Sequence, residues 1–316
     1  MVDILLNLLF AVLGVFGLYY GAEFLVKGGV SIARRIGISP LVIGLTLVAS
    51  ATSAPELVVS VSAALDGNSD ISLGNVVGSN ICNIALILGL CACITPMAVK
   101  RQILRFDAWV MVGSAILLML FYFAGNEINR IQAAIFLVLM IAYVVWSIID
   151  SRKKTESEAG VEECKILPVW KSLLLIILAL ALLIIGAKLF LYSAVFFAVC
   201  LGLSDAVIGL TIVAVGTSLP ELATSVVAAI RGEDDVAIGN VVGSNIFNIL
   251  CILGVAPLIS PLKNATLDPV DMGVMVLVSV LLVPMMRTGW KISRREGAVL
   301  LLVYAAYIAY LLCTHT

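Results

Sequence analysis

Residues 50–60 read SATSAPELVVS, and residues 215–225 read VGTSLPELATS. Both stretches belong to a longer match, because residues 39–89 and 204–254, aligned at a fixed offset of 165, share 32 of 51 residues without a gap. The shared residues include Thr, Ser, Pro, Glu and Asn, which chance similarity between two apolar helices would not produce. The chain is therefore predicted to contain a duplicated unit.

The composition around this repeat is that of a membrane protein. Of 316 residues, 62% are hydrophobic and 12% are charged, and the mean hydropathy is +1.17. Soluble domains are about 45–50% apolar and about 25% charged, so we expect an all-α integral membrane protein whose partner is the lipid bilayer. The net charge of −1 gives no basic surface for a nucleic acid. No cofactor and no obligate protein partner are expected.

Ten apolar runs are long enough to cross a bilayer, which takes about 20 residues of helix. They cover roughly 4–26, 39–65, 72–95, 107–124, 129–149, 168–190, 204–230, 236–259, 270–287 and 295–313. We therefore predict a first five-helix repeat at 1–150, a linker at 151–167 and a second five-helix repeat at 168–316. Because five is odd, the second repeat is inverted. Inverted repeats are typical of secondary transporters, whose sites lie where helices break near the midplane.

The basic residues predict the orientation. Fifteen of the 19 lie in alternate loops, including the polar segment 151–165, whereas the opposite side has only Arg130 and Lys263. Since cytoplasmic loops are enriched in Lys and Arg, we expect the 151–165 segment in the cytoplasm, both termini outside, and the chain in the plasma membrane.

Two carboxylates are predicted at the midplane. Glu56 and Glu221 lie near the centres of the second and seventh spans, where an acid costs at least about 2.5–3.5 kcal/mol. Pro55 and Pro220 precede them and are expected to open each helix, because proline lacks an N–H and clashes with the preceding turn. The freed carbonyls then need a partner, which a cation can provide.

Further oxygen donors surround the two acids in the sequence. Hydroxyl and amide side chains occur at matching positions of both repeats, namely Thr52, Ser53, Ser79, Asn83, Thr217, Ser218, Ser244 and Asn248. Ca²⁺ prefers oxygen ligands of this hard kind, and the cluster lacks the thiolates and imidazoles typical of softer metals. The pattern therefore predicts a cation site. Gly74, Gly78, Gly239 and Gly243 form two faces of small residues that let helix backbones approach closely. The alternatives are that the prolines are only kinks, that these glycines only pack helices, that the two Glu join helices, and that Asn75, Asn80, Asn240 and Asn245 are structural.

These residues resemble the two α-repeats of the calcium/cation antiporter superfamily, most closely those of prokaryotic sodium/calcium exchangers. The resemblance implies cation sites formed by spans two, three, seven and eight, with spans one and six sliding across them. It implies as ligands all the residues named above for the cation site, together with the backbone carbonyls of Ala49 and Ala214. One departure is Ala51, which stands where the usual pattern has a glycine, as at Gly216.

Exchange of Na⁺ for Ca²⁺ is the function we expect, with Ca²⁺ and Na⁺ as transported ions. Two carboxylates neutralise one Ca²⁺ or two Na⁺, so the ions would compete for the same oxygens. An antiporter of H⁺ and Ca²⁺, or of H⁺ and another divalent cation, using the same two Glu residues is the alternative. A passive cation channel fits less well because the polar residues are confined to the centre. An enzyme is not expected, because the membrane interior holds no catalytic Ser/His or Asp pair.

Overall fold

The computed structural model describes residues 2–125, 127–157, 167–202, 214–263 and 267–315. These ranges are almost entirely helical. The helices are α1 (Val2–Ile36), α2 (Pro40–Thr52), α3 (Ala54–Leu65), α4 (Ser69–Ile94), α5 (Ile103–Gly125), α6 (Arg130–Ser157), α7 (Val169–Cys200), α8 (Ala214–Gly216), α9 (Leu219–Ile230), α10 (Asp234–Ile259), α11 (Pro269–Arg287) and α12 (Arg294–His315). Two short strands, β1 (Met97–Ala98) and β2 (Lys291–Ile292), pair antiparallel.

The predicted spans can be compared with these helices. Within the described ranges, eight helices are long and apolar enough to cross a membrane, and there is a ninth if α2 and α3, bent by 47°, form one span. The predicted seventh span, 204–230, begins outside the described residues, which show only its later part as α8 and α9. An all-helical, multi-spanning fold is thus confirmed, whereas the count of ten stays a prediction.

Three helices are longer than predicted, including α7, which ends at Cys200 rather than near residue 190. α1 ends at Ile36 rather than near residue 26, because Lys27, Arg34 and Arg35 end the apolar run without ending the helix. α6 continues to Ser157, so the first part of the predicted 151–167 linker is helical. Residues 158–166 of that linker lie outside the described residues.

Several structural features occur once in each half of the chain, 164 or 165 residues apart. Gly67 and Gly232, which follow α3 and α9, have φ values of 76° and 73°, a conformation that glycine adopts without steric cost. The pairing of Met97 with Ile292 has a counterpart in the bridge between Leu262 and Ile128, because Leu262 follows Met97 by 165 residues and Ile292 follows Ile128 by 164. The two halves therefore build the same connections.

α1 and α7 pack against each other through glycines. A Cβ built on Gly186 would lie 2.8 Å from the amide nitrogen of Leu18 and 2.9 Å from the carbonyl oxygen of Gly14. Only residues without a side chain allow this approach. The outer faces of both helices are apolar and exposed, as at Leu5 and Ile177, as expected for surfaces that contact lipid.

The centre of the molecule is formed by α4 and α10, the two most buried of the long helices. On α10, the predicted glycine face is confirmed: a Cβ on Gly239 would lie 2.9 Å from the Leu41 carbonyl oxygen, and one on Gly243 would overlap the backbone of Leu45. On α4, a Cβ on Gly74 would lie 3.8 Å from the Leu267 side chain, and one on Gly78 would have no described atom of another element within 4 Å.

Candidate functional site

Both predicted helix breaks are present. α2 ends and α3 begins at Ser53, whose φ and ψ are −81° and 7°. Ser218 separates α8 from α9 with nearly the same values, −87° and 9°. Pro55 and Pro220 lie in the first turn of the helix that follows, a position where the missing N–H is tolerated. Each proline thus starts a new helix just after the break.

Glu56 and Glu221 follow the prolines, and both are buried, with 1% and 0% of their surface exposed. Their hydrogen bonds cross between the halves. Ser53 Oγ donates to Glu221 Oε1 over 2.8 Å, and Ser218 Oγ donates to Glu56 Oε1 over 3.2 Å. Because each serine belongs to the break of the other half, the two carboxylates are held in one cluster.

Several oxygen atoms of this cluster are buried without a hydrogen-bond partner among the described residues. They are Glu56 Oε2, Glu221 Oε2, Asn83 Oδ1, Asn248 Oδ1 and Ser244 Oγ. Leaving buried polar atoms unpaired is costly, so native proteins normally pair them. All five can donate lone pairs to a cation, and no Lys or Arg in the described part of the chain pairs with either Glu. The donors are those that Ca²⁺ prefers.

Asn75 and Asn240 position the two acids through hydrogen bonds to their main-chain carbonyls. Asn75 Nδ2 donates to the main-chain carbonyl of Glu56 over 3.1 Å and to Ser60 Oγ over 2.8 Å. Asn240 makes the equivalent bonds to the carbonyl of Glu221 and to Ser225 Oγ, at 3.4 and 2.9 Å. These bonds fix α3 to α4 and α9 to α10, which agrees with a structural role for these two amides.

The other amides join α4 to α10. Asn83 Nδ2 donates to Asn245 Oδ1 over 3.0 Å, and Asn248 Nδ2 donates to Asn80 Oδ1 over 3.1 Å. The side chains of Asn80 and Asn245 in turn donate to each other's backbone carbonyls, at 3.4 and 3.2 Å. As a result, the Asn83 and Asn248 amide nitrogens are used in the network while their carbonyl oxygens remain available.

The hydroxyls expected as ligands are also near the centre. Ser79 is buried, and its Oγ lies 3.4 Å from Ser218 Oγ. Thr52 is buried, and its hydroxyl lies 3.2 Å from Asn240 Oδ1. Thr217, at the equivalent position, is half-buried beside the second break.

The two backbone carbonyls implied by the resemblance differ in their surroundings. The Ala49 carbonyl accepts a hydrogen bond from the Ser53 amide over 3.0 Å, and the Thr52 hydroxyl also lies within hydrogen-bonding distance of it, at 3.2 Å. Ala214 opens α8, and the Ser218 amide donates instead to the Val215 carbonyl over 3.1 Å.

A further pair of buried acids, near the starts of α5 and α11, is not among the site residues predicted from the sequence. Tyr143 donates to Asp107 over 3.1 Å, and Tyr307 donates to Asp271 over 2.9 Å. Each tyrosine follows its aspartate by 36 residues, and this repeated spacing is the signal that could have revealed the pairs. They join α5 to α6 and α11 to α12, outside the central cluster.

The centre has fewer ionisable side chains than a site that holds a metal ion permanently. The described residues contain no group of three or more His, Cys, Asp or Glu side chains that could hold a metal ion. The cluster instead combines two carboxylates with hydroxyl and amide oxygens. Such a set suits a cation that is bound and released rather than one held permanently.

Comparison with known proteins matches this chain to one family. The family model described as "Sodium/calcium exchanger protein" matches residues 6–149 and 171–313. The chain belongs to this family. The family consists of membrane ion exchangers, so the protein is a multi-spanning membrane transporter and not an enzyme.

Individual relatives cover nearly the whole chain. The sodium/calcium exchanger MaX1 of Methanosarcina acetivorans is 38% identical over 98% of this chain and 99% of its own. CaxA of Alkalimonas amylolytica, named only provisionally as an antiporter, is 40% identical over 95% of this chain and 96% of its own. A solved structure of the sodium-calcium exchanger NCX_Mj superimposes with a TM-score of 0.84 at 36% identity, covering 98% and 99% of the two chains.

Proposed function

We propose that this protein exchanges Na⁺ for Ca²⁺ across the plasma membrane and that the central cluster binds both ions. The observation that carries the proposal is the pair of buried carboxylates, Glu56 and Glu221, each held by a serine of the other half and each with an unpartnered Oε2. The names of its relatives MaX1 and NCX_Mj support the choice of ions.

The ligands we propose are the residues predicted from the sequence. The side chains are Glu56, Glu221, Thr52, Thr217, Ser53, Ser218, Ser79, Ser244, Asn83 and Asn248, and the backbone carbonyls are those of Ala49 and Ala214. Within this set the five unpartnered oxygens form the first contacts. The Thr and Ser hydroxyls complete the shell after breaking bonds they make to their own helices or to each other.

Charge balance explains how exchange is coupled. The cluster carries −2 when both Glu residues are ionised, so one Ca²⁺ or two Na⁺ neutralise it, and a third Na⁺ would leave it positive. A buried net charge is costly, so the neutral, occupied cluster can change its access while the empty dianion cannot. Because the two ions use the same oxygens, binding of one releases the other.

The architecture we propose is ten spans in two inverted five-helix repeats, with 151–165 in the cytoplasm and both termini outside. Support comes from the paired turns, strand contacts and hydrogen bonds at offsets of 164 or 165 residues. α1 and α7, which pack on each other through glycines, would move across the centre to alternate its access. Motion of one bundle against another around a fixed site is the usual mechanism for inverted repeats.

The test is a flux assay in proteoliposomes with separate Na⁺ and pH gradients. We expect ⁴⁵Ca²⁺ uptake into Na⁺-loaded vesicles, unchanged when the pH gradient is collapsed. Uptake that follows the pH gradient and ignores Na⁺ would refute the proposal. It would favour the second candidate, H⁺/Ca²⁺ antiport, for which the unpartnered Oε2 atoms are suitable proton acceptors. Flux without any counter-ion would indicate a channel.

A further inference from the structure

A charged cavity lies away from the ion cluster, where the start of α5 meets the end of α11. It has a volume of about 270 Å³ and is lined by Arg101, Arg105 and Arg287 and by the rings of Trp109 and Trp290. The remaining walls are aliphatic. In the described part of the chain none of these three arginines pairs with a carboxylate. We name this cavity the arginine corner.

Trp290 is held rigidly at the arginine corner. Its φ is 56°, a value that a bulky residue rarely adopts, and it follows Gly289 in the short turn before β2. The Trp290 carbonyl accepts from the Val99 amide over 2.8 Å, and the pairing of β1 with β2 fixes the same turn. The ring faces the Arg101 guanidinium, 5.2 Å from its centre.

The fold itself does not require this charge. The second corner, at the bridge between Ile128 and Leu262, has the same backbone pairing. At a sequence offset of 164, the positions equivalent to Arg105, Trp109 and Arg287 hold Pro269, Gly273 and Phe123. The arginine corner therefore contains arginines and tryptophans that the backbone pairing does not require.

We propose that the arginine corner binds the headgroup phosphate of an anionic glycerophospholipid. Guanidinium groups bind phosphate through two parallel hydrogen bonds, and Trp side chains favour the headgroup level of a bilayer. Basic pockets between spanning helices on the cytoplasmic side are suited to anionic headgroups. The arginine corner is on the end of the molecule where basic loops concentrate, and its aliphatic walls can contact the glycerol and the upper acyl chains.

The binding test uses the full-length protein in detergent, with phosphatidylglycerol as the probe and native mass spectrometry as the readout. Each basic residue near an anionic lipid surface is worth about fivefold in affinity, so replacing all three arginines should weaken binding about 100-fold. The variant is Arg101→Gln/Arg105→Gln/Arg287→Gln. The matched control, Arg35→Gln/Arg152→Gln/Lys153→Gln, removes three exposed basic residues elsewhere and should bind like the parent.

Two further arms separate the outcomes. A triple Arg→Lys variant keeps the charge and tests folding, and it should retain most of the binding. Inorganic phosphate and phosphatidylcholine should not compete with phosphatidylglycerol. The proposal is overturned if the Gln variant binds phosphatidylglycerol as the parent does, if the control loses as much, or if inorganic phosphate competes as well as the lipid. Because only lipid binding is measured, the result is independent of the transported ions.

Discussion

The two ends of the molecule differ although they are built from equivalent residues. At one end α1 lies along α9, and Arg231 donates two hydrogen bonds to Glu23 Oε2, at 2.7 and 3.0 Å. At the other end α7 makes no comparably extensive contact with α3. The equivalent residues there, Lys188 and Asp66, are both exposed and form no ion pair with each other.

The signs of these charges are reversed between the halves. Glu23 matches Lys188, and Arg231 matches Asp66, at the offset of 165 residues. Each end therefore has one acid and one base at the same two positions, and only one end has joined them. Its hydrogen bonds and charge interaction with Glu23 raise the pKa of Arg231, so this guanidinium keeps its charge in the pair. We infer that the joined end marks one access state of the proposed transport cycle.

At the centre, by comparison, the bonds of the two acids and of the amides behind them are alike in both halves. Each bond of Asn75 has its counterpart at Asn240, and each Ser–Glu bond is reciprocated. Side chains that we propose bind the same ion from two sides need matching partners. The difference between centre and ends can be tested by substitutions that break each in turn.

The largest effect is expected at the carboxylates. Glu56→Gln and Glu221→Gln should each lower exchange by more than 100-fold, because removing one member of a buried charged set costs about 3–5 kcal/mol. The measurement is Na⁺-dependent ⁴⁵Ca²⁺ flux in proteoliposomes. Glu127→Gln, outside the cluster, is the control and should transport normally. Near-normal flux in either central variant would show that the two halves are not equivalent at the site.

A smaller effect is expected where α10 meets α2. Gly243→Ala should lower the free energy of unfolding by about 1–3 kcal/mol or more, because the added Cβ overlaps the backbone of Leu45. Gly113→Ala in α5 is the matched control, since no described atom lies within 4 Å of its added Cβ. It should be neutral or stabilising by about 0.5–1 kcal/mol, as expected for removing a helical glycine. Thermal unfolding in detergent compares them, and equal midpoints would contradict the close packing.

The smallest effect is expected at the ends. Glu23→Gln should shift the balance between access states by at most about fivefold, since exposed ion pairs contribute about 0.2–1 kcal/mol. Spin labels at the exposed Ile36 and Ile230 would measure the separation of α1 and α9. Lys188→Gln removes an unpaired charge and should leave that distance distribution unchanged. If both variants behave alike, the Glu23–Arg231 pair does not hold this conformation.

Much of this arrangement was predictable from the sequence. The breaks at Ser53 and Ser218 followed from the steric properties of Pro55 and Pro220, and the buried acids followed from their place in apolar runs. The glycine face of α10 was also predictable, because glycines four residues apart lie on the same side of a helix. The pairing of Tyr143 with Asp107 was not, since residues 36 positions apart on different helices meet only through tertiary packing.

The length of α1 was underestimated for a different reason. An apolar run measures where lipid contact ends, whereas a helix continues as long as its backbone bonds are satisfied. Lys27 and the arginines after it are good helix formers, so the helix continues beyond the apolar run. The choice between the two possible end pairs was also beyond the sequence, because both pairs are equally well encoded.

The crossed serines have a consequence for the history of the fold. Ser53 serves the acid of the second half, and Ser218 serves the acid of the first. Each half therefore contains a carboxylate and a hydroxyl that do not serve each other. Under the inverted topology proposed above, the smallest ancestor able to build such a centre is a pair of identical short chains inserted in opposite directions, and the fused chain preserves their mutual dependence.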